Sequence, residues 1–243
     1  LNPKPALIKA RRINISTDML NAIGLLRLLQ LTSPTLPVGG FTYSQGLEFA
    51  VETGWIGSDQ DFIRWQRQII DETLCYIDWP VLLRLYRACA TDDSQQFTRW
   101  SDFLLANRET AELRAEERQR GQALLRLIDQ WPDLALPPSW QPALSQCQLA
   151  GMAWLGYRWE IPVHELALGY GYNWLESSVM AGLKLVPFGQ QKAQSLLCEL
   201  SVALPEALTT ALALEDDELG GGYPLQAIAS SCHESQYTRL FRS

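Results

Sequence analysis

Cys232, His233 and Glu234 place a thiol, an imidazole and a carboxylate in consecutive positions near the end of the sequence. Such a triplet could hold a metal or move protons. Adjacent residues seldom converge on one ion, because zinc-type sites separate their ligands by two or more residues. His164 and His233 are the only histidines, so a His/Cys cage is hard to build within one chain. No permanent metal site is expected. Cys232 and His233 stand only as ligands for a transient ion, and the plainer role of His233 and Glu234 is polar contact with a docking surface. His164, between Ile161-Pro162-Val163 and Glu165, belongs in the first turn of a helix in a solvent or capping role.

Residues 108–120 alternate Arg and Glu. Glu112 and Glu116, with Arg114 and Glu117, are the acid/base candidates of a helical enzyme, a chemistry that requires a carboxyl in surroundings that shift its pKa. The competing reading is a solvated helix face, laced by Arg108 with Glu112 and Glu116 with Arg120 as i,i+4 pairs. Gly220-Gly221-Gly222 lacks the Lys, the Ser/Thr and the preceding strand of a phosphate loop. Neither GxSxG nor HExxH occurs. No cofactor and no catalytic residue is expected.

Two stretches suit recognition better than catalysis. Residues 33–48, SPTLPVGGFTYSQGLE, form a shaped loop running into a helix, with Pro37, Gly39, Gly40, Phe41, Tyr43, Ser44 and Glu48 as contact candidates. Residues 233–242 add His233, Glu234, Tyr237, Arg239, Leu240, Phe241 and Arg242, which mix apolar anchors with charge-assisted donors.

The elements that carry these stretches are helical throughout. Leucines at 19–31 follow Asp18 as an N-cap. Thr42 and Gln45 fit a capping box for a short helix. After a start at Ser58 and Asp61, the residues Phe62, Trp65, Ile69 and Thr73 fall on one face. Asp78 before Trp79-Pro80 reads as a further N-cap, and Phe97, Trp100 and Leu104 mark the next face. Prolines 132, 137, 138 and 142 mark a long loop within one domain. Helices are expected over 143–159, 162–185 and 190–203, then from Pro205 to near 217, before the glycine breaker. Gly121, Gly151, Gly156, Gly169, Gly171 and Gly182 inside helices point either to close packing within the monomer or to a helix–helix dimer interface. Tyr157, Trp159, Tyr170, Tyr172 and Trp174 beside them could be core or interface anchors. The expected fold is all-α: a compact multi-helix bundle at 18–217, an extension at 1–17, and a flexible or partner-ordered tail at 218–243.

Composition bounds the function. At 47% apolar and 19% charged, 243 residues can bury a real core. A net charge of −7 disfavours nucleic acid and anionic membranes as partners. No apolar run is expected to reach the length of a membrane span, and no signal peptide is visible. Of the five cysteines, four lie in apolar helix-like stretches and none forms CxxC. They read as buried free thiols in a reduced, cytosolic setting.

Four motifs carry a resemblance: SPTLPVGGFTYSQGLE, ELRAEERQRGQALL, WLESSVMAGLKLVPFGQ and HESQYTRLFRS. In order and spacing over 25–243, the chain resembles urease accessory proteins of the F type. The resemblance implies an all-helical, cytoplasmic, non-enzymatic factor that acts in nickel insertion into apo-urease. Such proteins pair as homodimers and bridge the D-type (also called H) accessory protein to the nickel-carrying G-type GTPase. It also implies an influence on GTP hydrolysis by that partner, and a water-filled route for nickel through the complex. Carried onto this sequence, Gly39, Gly40, Phe41 and Tyr43 become the best candidate surface for the GTPase. His233, Glu234, Tyr237, Arg239, Leu240 and Arg242 would order on the D-type partner or help build that surface. A strict GTPase-activating role, in which Arg239 or Arg242 enters the partner's site, is the alternative, beside the Glu112/Glu116 enzyme.

Overall fold

Apolar residues at helical spacing become helices along the chain, and no strand forms among the described residues. The computed structural model describes residues 20–131 and 133–242, with Phe41 described by its backbone. The expected extension at 1–17, the cap at Asp18, Pro132 and the Phe41 side chain lie outside the described parts. Helix α1 (Ala22–Leu31) is capped instead by Asn21, whose Oδ1 accepts the Gly24 N–H at 2.7 Å.

The centre is a continuous helical rod. Helix α3 (Asp59–Gln68) starts at Ser58, whose Oγ accepts the Asp61 N–H at 3.2 Å. It passes without a break into a π-helical stretch (Ile69–Asp78) and then into α4 (Trp79–Thr91). The face expected of Phe62, Trp65, Ile69 and Thr73 is buried. Asp78 is not a cap. It is helical itself, and the Trp79 N–H behind it reaches back to the Leu74 carbonyl. This i→i−5 spacing is the wide turn of a π-helix, a form often found at functional sites. The Asp78 carboxylate lies inside the fold, and burial is what makes it need partners.

Helices α5 (Ser94–Ala106), α8 (Gln148–Arg158), α9 (Val163–Leu185) and α11 (Leu204–Ala213) pack around α4. Trp79 is fully buried there and donates its indole N–H to the Ala167 carbonyl at 2.8 Å. Its ring lies so close to Gly171 that a Cβ would come within 2.6 Å of it. Gly121 likewise faces the Cys147 backbone, where a Cβ would stand 2.7 Å from the amide nitrogen. The helix glycines are thus contact points between helices of one chain. Tyr170 and Trp174 are buried beside them, whereas Tyr172 is exposed.

Several boundaries differ from the expectation. Residues 143–159 split into α7 (Gln141–Leu144) and α8, with the break before Cys147. No capping box opens at Thr42. A 3-10 turn (Gly40–Thr42) precedes α2 (Leu47–Glu52), which enters through Gly46 at φ +84, while the Gln45 side chain bonds elsewhere. Residues 190–213 are long and apolar enough to cross a membrane, contrary to the expectation. They form two helices, α10 (Gln190–Ser201) and α11, and the Ala203 N–H closes a turn on the Leu200 carbonyl between them. Their apolar character comes from residues such as Leu196, Leu200 and Leu208, which are buried in the core.

The segment after the glycines folds against the body. Helix α12 (Pro224–His233) packs on α2 and on α6 (Ala111–Ile128). Gly46 permits the approach, since a Cβ there would meet the Ser230 amide nitrogen at 2.7 Å. Cys75, Cys89 and Cys147 are buried, and burial pushes the Cys75 thiol up to about 11 and the Cys147 thiol up to about 12. Cys198 is exposed, unlike the other helix cysteines, because it faces outward on α10.

Candidate functional site

The loop at 33–48 and the tail at 233–242 were separate in the sequence and are one surface in the fold. The Arg242 N–H donates to the Thr42 carbonyl at 2.8 Å, joining their backbones. Glu48, on α2, faces inward and accepts the N–H groups of Leu240 (2.6 Å) and Phe241 (2.9 Å). His233 ends α12 with no exposed surface; its Nε2 lies 3.2 Å from Glu48 Oε2 and its Nδ1 lies 2.8 Å from Glu112 Oε2. Arg239 reaches the other Glu112 oxygen at 2.8 Å. Glu234 Oε1 accepts the Ala111 N–H at 2.9 Å, placing a carboxylate at the positive N-terminal end of α6. Thr110, the N-cap of α6, shares a 2.8 Å hydroxyl bond with Ser230.

This arrangement sorts the candidate residues. Tyr43, Ser44, Glu48, His233 and Phe241 are buried and hold the surface together. Pro37, Gly39, Glu234, Tyr237, Arg239, Leu240 and Arg242 are exposed, and Gly40 is half-buried. Tyr237 stands fully in solvent and Leu240 is 63% exposed. Phe241 is the exception in the tail: it is buried, with the Lys184 ammonium 5.0 Å from its ring centre.

The same geometry bears on metal and acid/base chemistry. Among the described residues no group of three His, Cys, Asp or Glu is placed to hold a metal ion. The two His233 nitrogens point to different carboxylates, so they do not converge on one point with Cys232. His164 is a half-buried helix-start residue beside Glu165.

The charged run 108–120 is not a solvated face, and this overturns that expectation. Arg108 precedes α6 and pairs with Asp78 and Glu117, each at 2.7 Å, rather than with Glu112. The Tyr170 hydroxyl donates to the second Asp78 oxygen at 2.9 Å. Burial lifts the Asp78 carboxyl above the usual range. Burial also opposes the charge on Arg108, but the Asp78 and Glu117 carboxylates outweigh it and hold the guanidinium charged. The expected Glu116–Arg120 pair does form, at 2.8 Å, but it is buried rather than exposed. Gln45 donates to Glu116 at 3.0 Å and accepts from the Trp174 indole at 3.0 Å. Burial raises the Glu116 carboxyl, and it borders a small cleft with Tyr43, Gln45 and Trp174. With Arg120 and Gln45 both donating to its Oε1, this carboxylate is engaged in joining α6 to the loop.

The sequence reading missed Gln119 and Arg120 as supports of this surface, and it missed the pairing of Asp78 with Arg108 inside the bundle. Gln119 accepts the Tyr43 hydroxyl at 2.6 Å and receives a long contact, 3.5 Å, from Arg242. Only the motif ELRAEERQRGQALL signalled that the run mattered, and it gave no hint of the partners.

Comparison with known proteins identifies relatives over nearly the whole chain. The family model UreF matches residues 56–201. A protein named urease accessory protein UreF from Pseudomonas putida is 64% identical over 221 residues, covering 91% of this chain and 98% of the relative. One of the same name from Enterobacter sp. is 58% identical over 219 residues, covering 90% and 97%. Another from Klebsiella pneumoniae is 53% identical over the same length, again covering 90% and 97%.

Proposed function

The chain belongs to the UreF family of urease accessory proteins, and from that premise we propose that it is a non-enzymatic, cytoplasmic maturation factor that assists GTP-dependent nickel insertion into apo-urease. It works as a homodimer that bridges the D/H-type accessory protein and the G-type GTPase. The observation that supports this reading is the union of the loop and the tail. Two segments almost two hundred residues apart join through Glu48 and through the Arg242–Thr42 backbone bond, and the tail so held exposes Tyr237, Arg239, Leu240 and Arg242. Exposed aromatic, aliphatic and guanidinium groups on a backbone pinned from below are the make-up of a protein-binding hot spot. GTP chemistry then comes from the partner.

The test is deletion of residues 239–243. The truncated chain is expected to keep its helical circular dichroism, with a urea midpoint lowered by the loss of buried Phe241, and to lose complex formation with the D-type protein and the GTPase in size-exclusion chromatography. Retention of both partners at unchanged affinity would defeat the docking role.

One observation favours a second reading. The Arg242 guanidinium is exposed, and among the described residues its one side-chain hydrogen bond is the long contact to Gln119, which leaves it able to enter a partner's nucleotide site. In that case Arg242→Ala abolishes stimulation of GTP hydrolysis while binding persists. Loss of both together means simple docking.

A further inference from the structure

We infer that Glu48, His233 and Glu112 form a clasp that positions the tail, and that the docking surface exists only while the clasp is closed. This rests on the docking role proposed above and names the residues that control it. None of the three offers a contact to a partner: His233 is fully enclosed, and both carboxylates are turned inward onto it. What they do is join three elements remote in sequence, α2, α6 and the end of α12, on one imidazole ring.

The chemistry of each member fits that role. A carboxylate only accepts, and Glu48 spends its two oxygens on the consecutive N–H groups of Leu240 and Phe241 while also facing His233. Two adjacent backbone donors on one carboxylate fix the path of the chain at that point. It is the path that leaves Leu240 outside and turns Phe241 inside. Glu112 fixes the residue before them through Arg239 and holds His233 from the other side. Each ring nitrogen faces a carboxylate, so each carboxylate steadies the ring for the other. Without the ring, Glu48 and Glu112 would face each other's charge across a buried gap, and their hold on 239–241 would weaken. A partner would then have to order the tail at its own expense.

The experiment uses the full chain with His233→Ala, and with Glu112→Gln as a variant that keeps side-chain volume. Hydrogen exchange read by mass spectrometry follows the amides of 234–242 and those of the α3–α4 rod. Binding is read by titrating each variant with the D-type protein, then with the GTPase, nickel and GTP. Exchange at Leu240 and Phe241 is expected to quicken at least about tenfold, with the rod unchanged and binding weakened by about tenfold or more. Glu112→Gln should show a smaller change of the same pattern, and it carries the test if His233→Ala does not fold. Weaker binding with unchanged tail exchange would overturn the inference, because the cluster would then touch the partner itself. A freed tail with unchanged binding would overturn it as well. If the unsubstituted chain bound neither partner, the docking role would fall, and the exchange data alone would still decide whether the clasp holds the tail.

Discussion

Two polar clusters flank helix α6, and they differ in what they join. The inner one, Asp78–Arg108–Glu117–Tyr170, ties the π-helical stretch to α6 and α9 inside the bundle. The outer one, Glu48–His233–Glu112–Arg239, ties the end of the chain to the bundle's surface. The inner cluster is surrounded by helices that already pack against each other. The outer cluster supports a segment with little apolar burial of its own beyond Phe241. The same kind of interaction therefore stabilises the fold in one place and shapes a surface in the other.

That contrast can be broken by substitution. Arg108→Ala leaves Asp78 buried without its cation, and a loss of about 3–5 kcal/mol is expected in urea unfolding. A loss near zero would mean the two clusters do not differ as described. Next in size is Gln66→Met. Gln66 is fully buried in α3, and neither of its amide atoms has a hydrogen-bond partner among the described residues. Replacing it with an apolar side chain of similar size should stabilise the chain by about 1 kcal/mol, seen as a raised melting temperature. Destabilisation would point to a polar partner for Gln66. The smallest effect on stability belongs to the outer surface: Arg239→Ala should change unfolding by no more than about 1 kcal/mol, because its pair with Glu112 is partly exposed. A cost as large as that of Arg108→Ala would make the tail part of the core.

The sequence carried the bundle well where burial follows apolar spacing, as at Phe62, Trp65 and Ile69 on α3 and the π stretch. It failed where polar groups are buried. In 108–120, Arg108 finds Asp78 thirty residues back and Glu112 finds His233 more than a hundred residues ahead. Local spacing sees only i,i+4 neighbours, so a run that serves separate networks reads as a solvated face. Asp78 looked like a cap because its π-helical turn has no signature in residue type. Helix α12 escaped for the opposite reason. Its buried residues Gln226, Ala229, Ser230 and His233 recur at i, i+3, i+4 and i+7, a helical face made of small and polar groups, while Leu225 and Ile228 point outward. Pro224 after the glycines was the one available sign of a helix start. Residues 33–48 and 233–242 were both singled out from the sequence as candidate recognition segments. Their meeting was not, since it depends on Glu48 and on Gly46 admitting α12.

The contacts of His233 span 121 and 185 residues of chain. Loops of that length are entropically the hardest to close, and their contacts are rewarded only after the intervening helices have condensed. The surface built on that ring is therefore a late product of folding. On the docking role proposed above, a partner samples only molecules whose bundle is already assembled, so binding doubles as an inspection of the finished fold.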